Sequence, residues 1–395
     1  MFPECKLSAQ DVNGYIENVT LEMVYNSLQK ERMVFSDFLN FISPVAQSSA
    51  ECLMAMRRRA REIKHQYFGK TVRIYSPLYI SSFCVNDCVY CGFRCTHKHK
   101  RKRLTKEEII AEAMIIKSYG IDSLLLVSGE DPKAVSAEFL ADVVKELKEH
   151  FSYVSIEIQP MTEAEYRILF EAGVHGLALY QETYNEELYK TLHLSGPKAD
   201  YHNRLECTAN GAKAGFYNIG LGALLGLEDW RSEIVSLAAH GLWLKKKYWT
   251  SKVQFSFPRI TETEGGFNVP NPVSEADLEQ IMLAFRLFFH EADLYISTRE
   301  SAEFRKNIVK NCASHISGGS QVTPGGYAEY EEKRAQLIAE NKIANDQYEF
   351  DSNHLNDDLG QFTMHDCSSV AAVCKDMKEL NIEVIFKDWD NAMGV

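Results

Sequence analysis

Three cysteines, Cys84, Cys88 and Cys91, fall on one short stretch at the spacing C-x3-C-x2-C, with Tyr90 directly before the third. Thiolates are soft ligands for zinc and for iron–sulfur clusters. A four-thiolate zinc site normally draws on two separated knuckles. One short loop offering three thiolates suits a single iron–sulfur cube whose fourth iron is left open to a chelating ligand. A zinc knuckle is the structural alternative. Cys95, four residues past the third cysteine, would close the open iron if it were a fourth ligand; otherwise it is a packing or surface thiol.

Such a loop needs a frame. From Val72 the sequence alternates apolar strand-like runs with helical ones: Thr71 to Phe83, Ile121 to Val127, Tyr153 to Ile158, Leu177 to Tyr180, Ile219 to Leu227, Val253 to Phe257, Leu294 to Ser297 and Ala313 to Ile316 read as strands. Thr105-x-x-Glu108, Thr162-x-x-Glu165 and Ser274-x-x-Asp277 are capping boxes that start helices between them. Eight short apolar strands returned by crossover helices predict a parallel sheet, and a closed (β/α)8 TIM-type barrel is the economical solution, ahead of an open partial barrel or a doubly wound sheet. No G-x-G-x-x-G follows the first strand.

Residues 1–70 read as an N-terminal helical extension and 71–327 as the barrel. Residues 328–395 read as a C-terminal extension, with a charged segment to 361, a helix over Ser368 to Leu380 and a short strand at Ile382 to Phe386. Barrels of this kind hold their chemistry at the C-terminal strand ends. The expected ends carry Cys84, Ser128-Gly129-Glu130, Gln159-Pro160, Gln181-Glu182-Thr183, Pro258-Arg259, Thr298-Arg299-Glu300 and Ser317-Gly318-Gly319-Ser320, a concentration of polar and ionisable groups that points to a site in the mouth.

Composition limits the classes. A chain of 395 residues, 45% apolar, can bury a large core, and a net charge of −12 argues against a general nucleic-acid binder. The basic stretch His97 to Arg103 is the local exception, either a solvated loop or a docking surface for an acidic electron donor. The longest apolar run, Ile219 to Leu227, is too short to span a membrane, and Met1 to Cys5 lacks a signal-peptide core, so a cytoplasmic protein with mostly reduced cysteines is expected.

Taken in order, the cysteine motif with Tyr90, Ser128-Gly129-Glu130, Gln181-Glu182-Thr183-Tyr184, Trp230-Arg231, Ser297-Thr298-Arg299-Glu300-Ser301, Pro324-Gly325-Gly326-Tyr327 and Lys387-Asp388-Trp389-Asp390 resemble the 2-iminoacetate synthase (ThiH) family, the radical S-adenosylmethionine (SAM) tyrosine lyases of thiamine biosynthesis. The resemblance implies a [4Fe–4S] cluster on Cys84, Cys88 and Cys91, with SAM chelating the fourth iron and cleaved reductively to a 5′-deoxyadenosyl radical. It implies that Tyr90 lines the adenine, that Ser128, Gly129 and Glu130 receive the SAM ammonium group, that Glu182 accepts the ribose hydroxyls, and that Arg204 pairs with the SAM carboxylate. Tyr90 as a shielding residue, Ser128 to Glu130 as a plain turn and Arg204 as a surface arginine are the alternatives.

The Gly220-Leu221-Gly222 strand would let backbone approach the adenine edge, or else serve close barrel packing. Arg299 is the expected carboxylate clamp for an amino-acid substrate, with Ser317 beside it; its alternative is an ion pair with Glu300 or Glu303. The implied reaction removes hydrogen from the amino group of L-tyrosine and breaks Cα–Cβ, giving p-cresol and 2-iminoacetate for a thiazole synthase partner. The electron donor would be of flavodoxin or ferredoxin type.

The hydrogenase-maturing tyrosine lyase is the nearest enzyme rival, but it adds a C-terminal cysteine cluster, and this tail has only Cys367 and Cys374. A tryptophan lyase and a non-catalytic metal sensor are the other rivals.

Overall fold

The computed structural model describes residues 9–260, 266–340, 342–343, 361 and 364–387. Eight parallel strands follow in order: β1 (Thr71–Ser81), β2 (Ser123–Ser128), β3 (Tyr153–Glu157), β4 (Gly176–Ala178), β5 (Asn218–Gly222), β6 (Lys252–Ser256), β7 (Asp293–Ile296) and β8 (His315–Ser317). Each pairs with the next, and β1 pairs with both β8 and β2, so the sheet closes on itself. This is the expected (β/α)8 barrel, and closure excludes the open and doubly wound alternatives. A ninth strand, β9 (Glu383–Ile385), adds in parallel to the first residues of β1, as Thr71 opposite Glu383 and Arg73 opposite Ile385.

Strand periodicity sorts residues between the helical shell and the lumen. Along β3, Val154 and Ile156 are fully buried under helices, whereas Tyr153, Ser155 and Glu157 line cavities inside the barrel. The three capping boxes form: Thr105, Thr162 and Ser274 each accept the amide three residues on, and Glu108, Glu165 and Asp277 reach back to the cap.

Most strand boundaries move by one or two residues from expectation, and two of the differences have a local reason. The run Ile219 to Leu227 leaves the ladder at Gly222, and Ala223 and Leu225 make only single bridges, to Glu182 and Arg259. Leu224 and Leu227 are instead buried beside Cys88 and Tyr90, which an apolar run alone does not distinguish from strand burial. At the last strand, the Ala313 amide still bonds Ile308 O at a helix end, so β8 begins two residues later.

Five helices (Ala9–Glu17, Leu21–Leu28, Phe35–Phe41, Pro44–Ser48 and Ala50–Phe68) precede the barrel. Phe38 packs edge-on to Phe285 at 5.3 Å between centroids, and Arg57 makes a two-pronged pair with Glu279 at 2.7 and 2.6 Å. Trp230-Arg231 serves the same junction, since Arg231 donates to Ile42 O at 2.8 Å.

Pro324-Gly325-Gly326-Tyr327 docks the helix Gly326–Ala339. Gly325 turns the chain at φ +86°, Tyr327 donates its hydroxyl to Pro77 O at 2.7 Å, and buried Glu112 accepts the amides of Tyr327 at 3.0 Å and Ala328 at 2.7 Å. A carboxylate on two amides of a helix N-terminus is favourable, and removing it strands two buried donors. Glu112→Ala is expected to lower unfolding stability by about 2–3 kcal/mol, read as a fall in denaturant midpoint at unchanged slope, with Glu112→Gln recovering part of the loss.

In the terminal Lys387-Asp388-Trp389-Asp390 only Lys387 is described; the other three, and 341 and 344–360 of the charged segment, lie outside the described residues.

Candidate active site

The end of β1 runs into the cysteine loop, and the loop is held by main-chain bonds. Arg101 donates to Ser82 O at 2.5 Å, Phe93 O at 2.7 Å and Arg94 O at 2.6 Å, and Arg94 pairs with Asp87 at 2.7 Å. The basic stretch is therefore neither wholly a solvated loop nor wholly a docking surface. Arg101 is a brace for the cysteine loop and Arg103 lies over the Phe139 ring, while Lys98 and Lys100 stay exposed.

Cys91 packs with Cys88 in one apolar cluster and with Cys84 in another. Burial pushes all three thiols above the usual range, and each of Cys84 and Cys88 is raised further by Cys91. Against this, backbone N–H groups point at sulfur: Phe93 N lies 3.4 Å from Cys91 Sγ, and the amides of Asn86 and Glu130 favour the Cys84 thiolate. Three thiols on one loop, Cys88 buried and Cys84 and Cys91 half-buried, with N–H donors favouring the thiolates of Cys84 and Cys91, fit ligands of an iron–sulfur cluster. Cys95 is exposed, which accords with a surface thiol.

Behind the loop sits a buried quartet of charges. Arg204 donates to Glu130 Oε1 at 2.8 Å, to Glu182 Oε1 at 3.4 Å and to Tyr180 O at 2.7 Å. Lys198 Nζ donates to Glu182 Oε1 at 2.7 Å and stands 3.8 Å from Glu130 Oε1. Burial pushes both carboxyls up, but Arg204 and Lys198 more than offset it and leave Glu130 and Glu182 below the usual range. Two anions and two cations therefore balance inside the protein.

Asn86 bridges this quartet to the cysteine loop, donating to Glu130 Oε2 at 2.8 Å and accepting the Lys198 amide at 2.9 Å. Glu182 holds φ +70°, a conformation that non-glycine residues adopt at a cost and that recurs at functional sites. Lys198 and Asn86 escape a reading by motif, because one follows the turn Ser195-Gly196-Pro197 and the other sits unremarked between two cysteines.

The turn after β2 is mostly spent on holding the loop. Gly129 N donates to Ser81 O at 2.8 Å, and Val85 N donates to Glu130 O at 3.0 Å. A Cβ on Gly129 would stand 2.4 Å from Phe83 O and 3.2 Å from Cys84 Cβ, so only glycine lets the cysteine loop approach. Ser128 Oγ is buried with no hydrogen-bond partner among the described residues, so it is open to a bound molecule.

Tyr90 is buried, and its hydroxyl lies 2.8 Å from His193 Nε2 while His193 Nδ1 lies 2.9 Å from Tyr189 O. Tyr90 thus packs beside Cys88 in the loop. On β5, a Cβ on Gly222 would meet Tyr180 at 2.5 Å, and one on Gly220 would meet Ala178 at 3.2 Å, so close barrel packing accounts for both glycines.

The barrel mouth holds a cavity of about 720 Å³, open solvent included, lined by Arg299, Thr298, Ser317, Glu157 and Tyr180 among others. Tyr79, Val127 and Val322 of its wall also pack against Cys84 and Cys91, so cavity and cysteine loop adjoin. Ser317 Oγ accepts the Thr298 amide at 3.1 Å. Arg259 bonds both Glu300 oxygens, one at 2.9 Å. Gln159 and Thr183 are likewise structural, bonded to Val135 O and to Glu233.

Residues 78–238 match the Radical SAM superfamily and residues 256–383 the Biotin and Thiamin Synthesis associated domain. The chain is 36% identical over 390 residues to the 2-iminoacetate synthase of Escherichia coli (strain K12), covering 98% of this chain and 96% of that one. It belongs to the 2-iminoacetate synthase family.

The family member of Salmonella typhimurium is 34% identical over the same shares of the two chains. Among solved structures, a crystal structure of HydG, a maturase of the [FeFe]-hydrogenase, superposes with a TM-score of 0.85 at 26% identity, over 98% of this chain and 82% of that chain. This family member is a radical SAM enzyme with a [4Fe–4S] cluster and SAM as cofactors. No described helix is long and apolar enough to cross a membrane.

Proposed function

We propose that the chain cleaves the Cα–Cβ bond of L-tyrosine, giving 2-iminoacetate and p-cresol, and that the imine serves the thiazole moiety of thiamine. The carrying observation is that the Arg299 cavity shares Tyr79, Val127 and Val322 with the cysteine loop, so an amino acid in the cavity lies next to the iron–sulfur site.

Cys84, Cys88 and Cys91 would hold the cluster. Glu130, Glu182 and Arg204, with Lys198 and Asn86, would surround SAM, while Ser128 Oγ offers a free buried hydroxyl, Gly129 gives clearance and Tyr90 shields the loop. When bound, cluster and SAM supply a carbon-centred radical able to take hydrogen from an amino group. The rest falls to the chain. Arg299 offers a planar fork that fixes a carboxylate in one orientation, Ser317 stands beside it, and the apolar wall excludes water that would hydrolyse an imine. Residues 71–327 form the catalytic unit in this reading, flanked by the 1–70 and 328–395 extensions. A thiazole synthase as receiver of the imine, a flavodoxin- or ferredoxin-type donor and a cytoplasmic setting complete it.

The nearest rival is the hydrogenase-maturing lyase. Cys367 and Cys374 do line one cavity, with Tyr119, Tyr330 and Glu331, but it shares no lining residue with the mouth. Near full-length identity to 2-iminoacetate synthases favours the thiamine role.

Anaerobic incubation with reductant, SAM and tyrosine is expected to release p-cresol with 5′-deoxyadenosine. Deoxyadenosine without p-cresol would transfer the reading to another aromatic amino acid, such as tryptophan, and absence of both would favour a metal sensor.

A further inference from the structure

Glu157 has no part in the scheme above. It is the last residue of β3, four strands round the closed sheet from β7, after which Arg299 stands; the two therefore face each other from opposite walls of one cavity. A second cavity beneath is lined by Ser123, Tyr153 and Gly176, the first residues of β2, β3 and β4, and it shares Tyr75, Leu125, Tyr180, Ser256 and Tyr295 with the mouth cavity. These five side chains thus form the floor between them. Tyr180 and Ser256 line the same cavity as Glu157, and Tyr180 favours the charged form of the Glu157 carboxyl. Above this floor the apolar part of the wall is Pro77, Val127, Phe257 and Ile296.

With Glu300 held by Arg259, an arginine at one end, apolar side chains in the wall and the Glu157 carboxylate at the other end match an amino acid with an aromatic ring and a hydroxyl at its tip. The substrate amine shares a carbon with the carboxylate and so stays on the Arg299 side. Resting on the tyrosine reading, we infer that Glu157 accepts the hydrogen bond of the substrate phenol, selects tyrosine over phenylalanine, and takes up the phenolic proton as Cα–Cβ breaks.

In that step the substrate nitrogen-centred radical forms N=Cα, the Cα–Cβ bond breaks and the odd electron stays on the benzyl fragment, whose CH2 carbon then takes one electron from the flavodoxin- or ferredoxin-type donor and one proton from solvent to become the methyl group of p-cresol. The phenol O–H proton moves to a Glu157 oxygen and returns to the oxygen of p-cresol, so Glu157 gains no net proton. Burial raises the Glu157 carboxyl to about 7. Tyr180, Arg299 and Lys198 favour its charged form and Glu182 opposes it, while Tyr75 and Tyr79 of β1 face it as neutral phenols raised by burial and by Glu157 itself. The acceptor form is therefore gained as pH rises through about 7.

Calorimetric titration of the reconstituted, SAM-loaded protein with tyrosine and with phenylalanine tests this without turnover. The wild type should prefer tyrosine by about 10²-fold or more, since a site built for a hydroxyl leaves its own polar group unpaired when the hydroxyl is missing. Glu157→Leu should narrow that ratio to within about threefold. Glu157→Gln, close in size, keeps a bond to the hydroxyl but should lose the acid limb near pH 7 in p-cresol formation, and it decides the matter if the leucine variant does not fold. An unchanged tyrosine preference in Glu157→Leu, an equal loss of both amino acids (which would put Glu157 at the amine), or an unchanged acid limb in Glu157→Gln overturns the inference. Absence of p-cresol from the wild type would instead overturn the tyrosine reading.

Discussion

Cys88→Ala is expected to reduce 5′-deoxyadenosine formation to background, a fall of more than about 10³-fold or about 4 kcal/mol, together with loss of iron and of the cluster's colour. Cys88 is buried and its thiol is pushed up by burial, so at neutral pH only a bound cation would keep it as thiolate. Alanine leaves an apolar pocket among Tyr90, Leu192 and Leu224 and no substitute ligand. Cys95→Ala is the control: its exposed thiol should be dispensable, with iron content and rate unchanged. A Cys88→Ala protein that keeps full iron and activity would remove the three-thiolate site from the argument.

Arg299→Lys is expected to lower kcat/KM for tyrosine by about 10²–10³-fold, about 3–4 kcal/mol, while deoxyadenosine is still produced without p-cresol. A lysine keeps the charge but loses the two parallel bonds that set the angle of the amino acid, and the radical must meet one particular hydrogen. Uncoupling of the two products is the telling measurement. A folding defect would lower both, whereas a lost clamp lowers only p-cresol. Equal loss of both products would make Arg299 a structural residue.

Much of this was legible beforehand for a local reason. A capping box is complete within four residues, so Thr105, Thr162 and Ser274 started their helices where the sequence placed them. The cysteine spacing likewise sits on one loop, and eight alternating units imply closure once each strand must be returned by a helix. What was not legible depended on partners remote in sequence. Arg259 and Arg299 both stand at strand ends, but only the folded chain shows that Glu300 is taken by Arg259. Arg101 looked like surface charge until its guanidinium was seen to bind Ser82, Phe93 and Arg94 carbonyls.

By itself the sequence determined the barrel, the three-thiolate loop and the strand ends at which chemistry gathers, because ligand spacing, caps and apolar periodicity act between near neighbours. Tertiary structure decided which charges meet: Lys198 and Asn86 joined to Glu130, Glu182 and Arg204, and Glu157 set opposite Arg299 across the lumen. Those meetings follow from strand order and closure of the sheet, which bring residues of different strands and loops, as far apart as Glu157 and Arg299, to one mouth, and no local pattern encodes them.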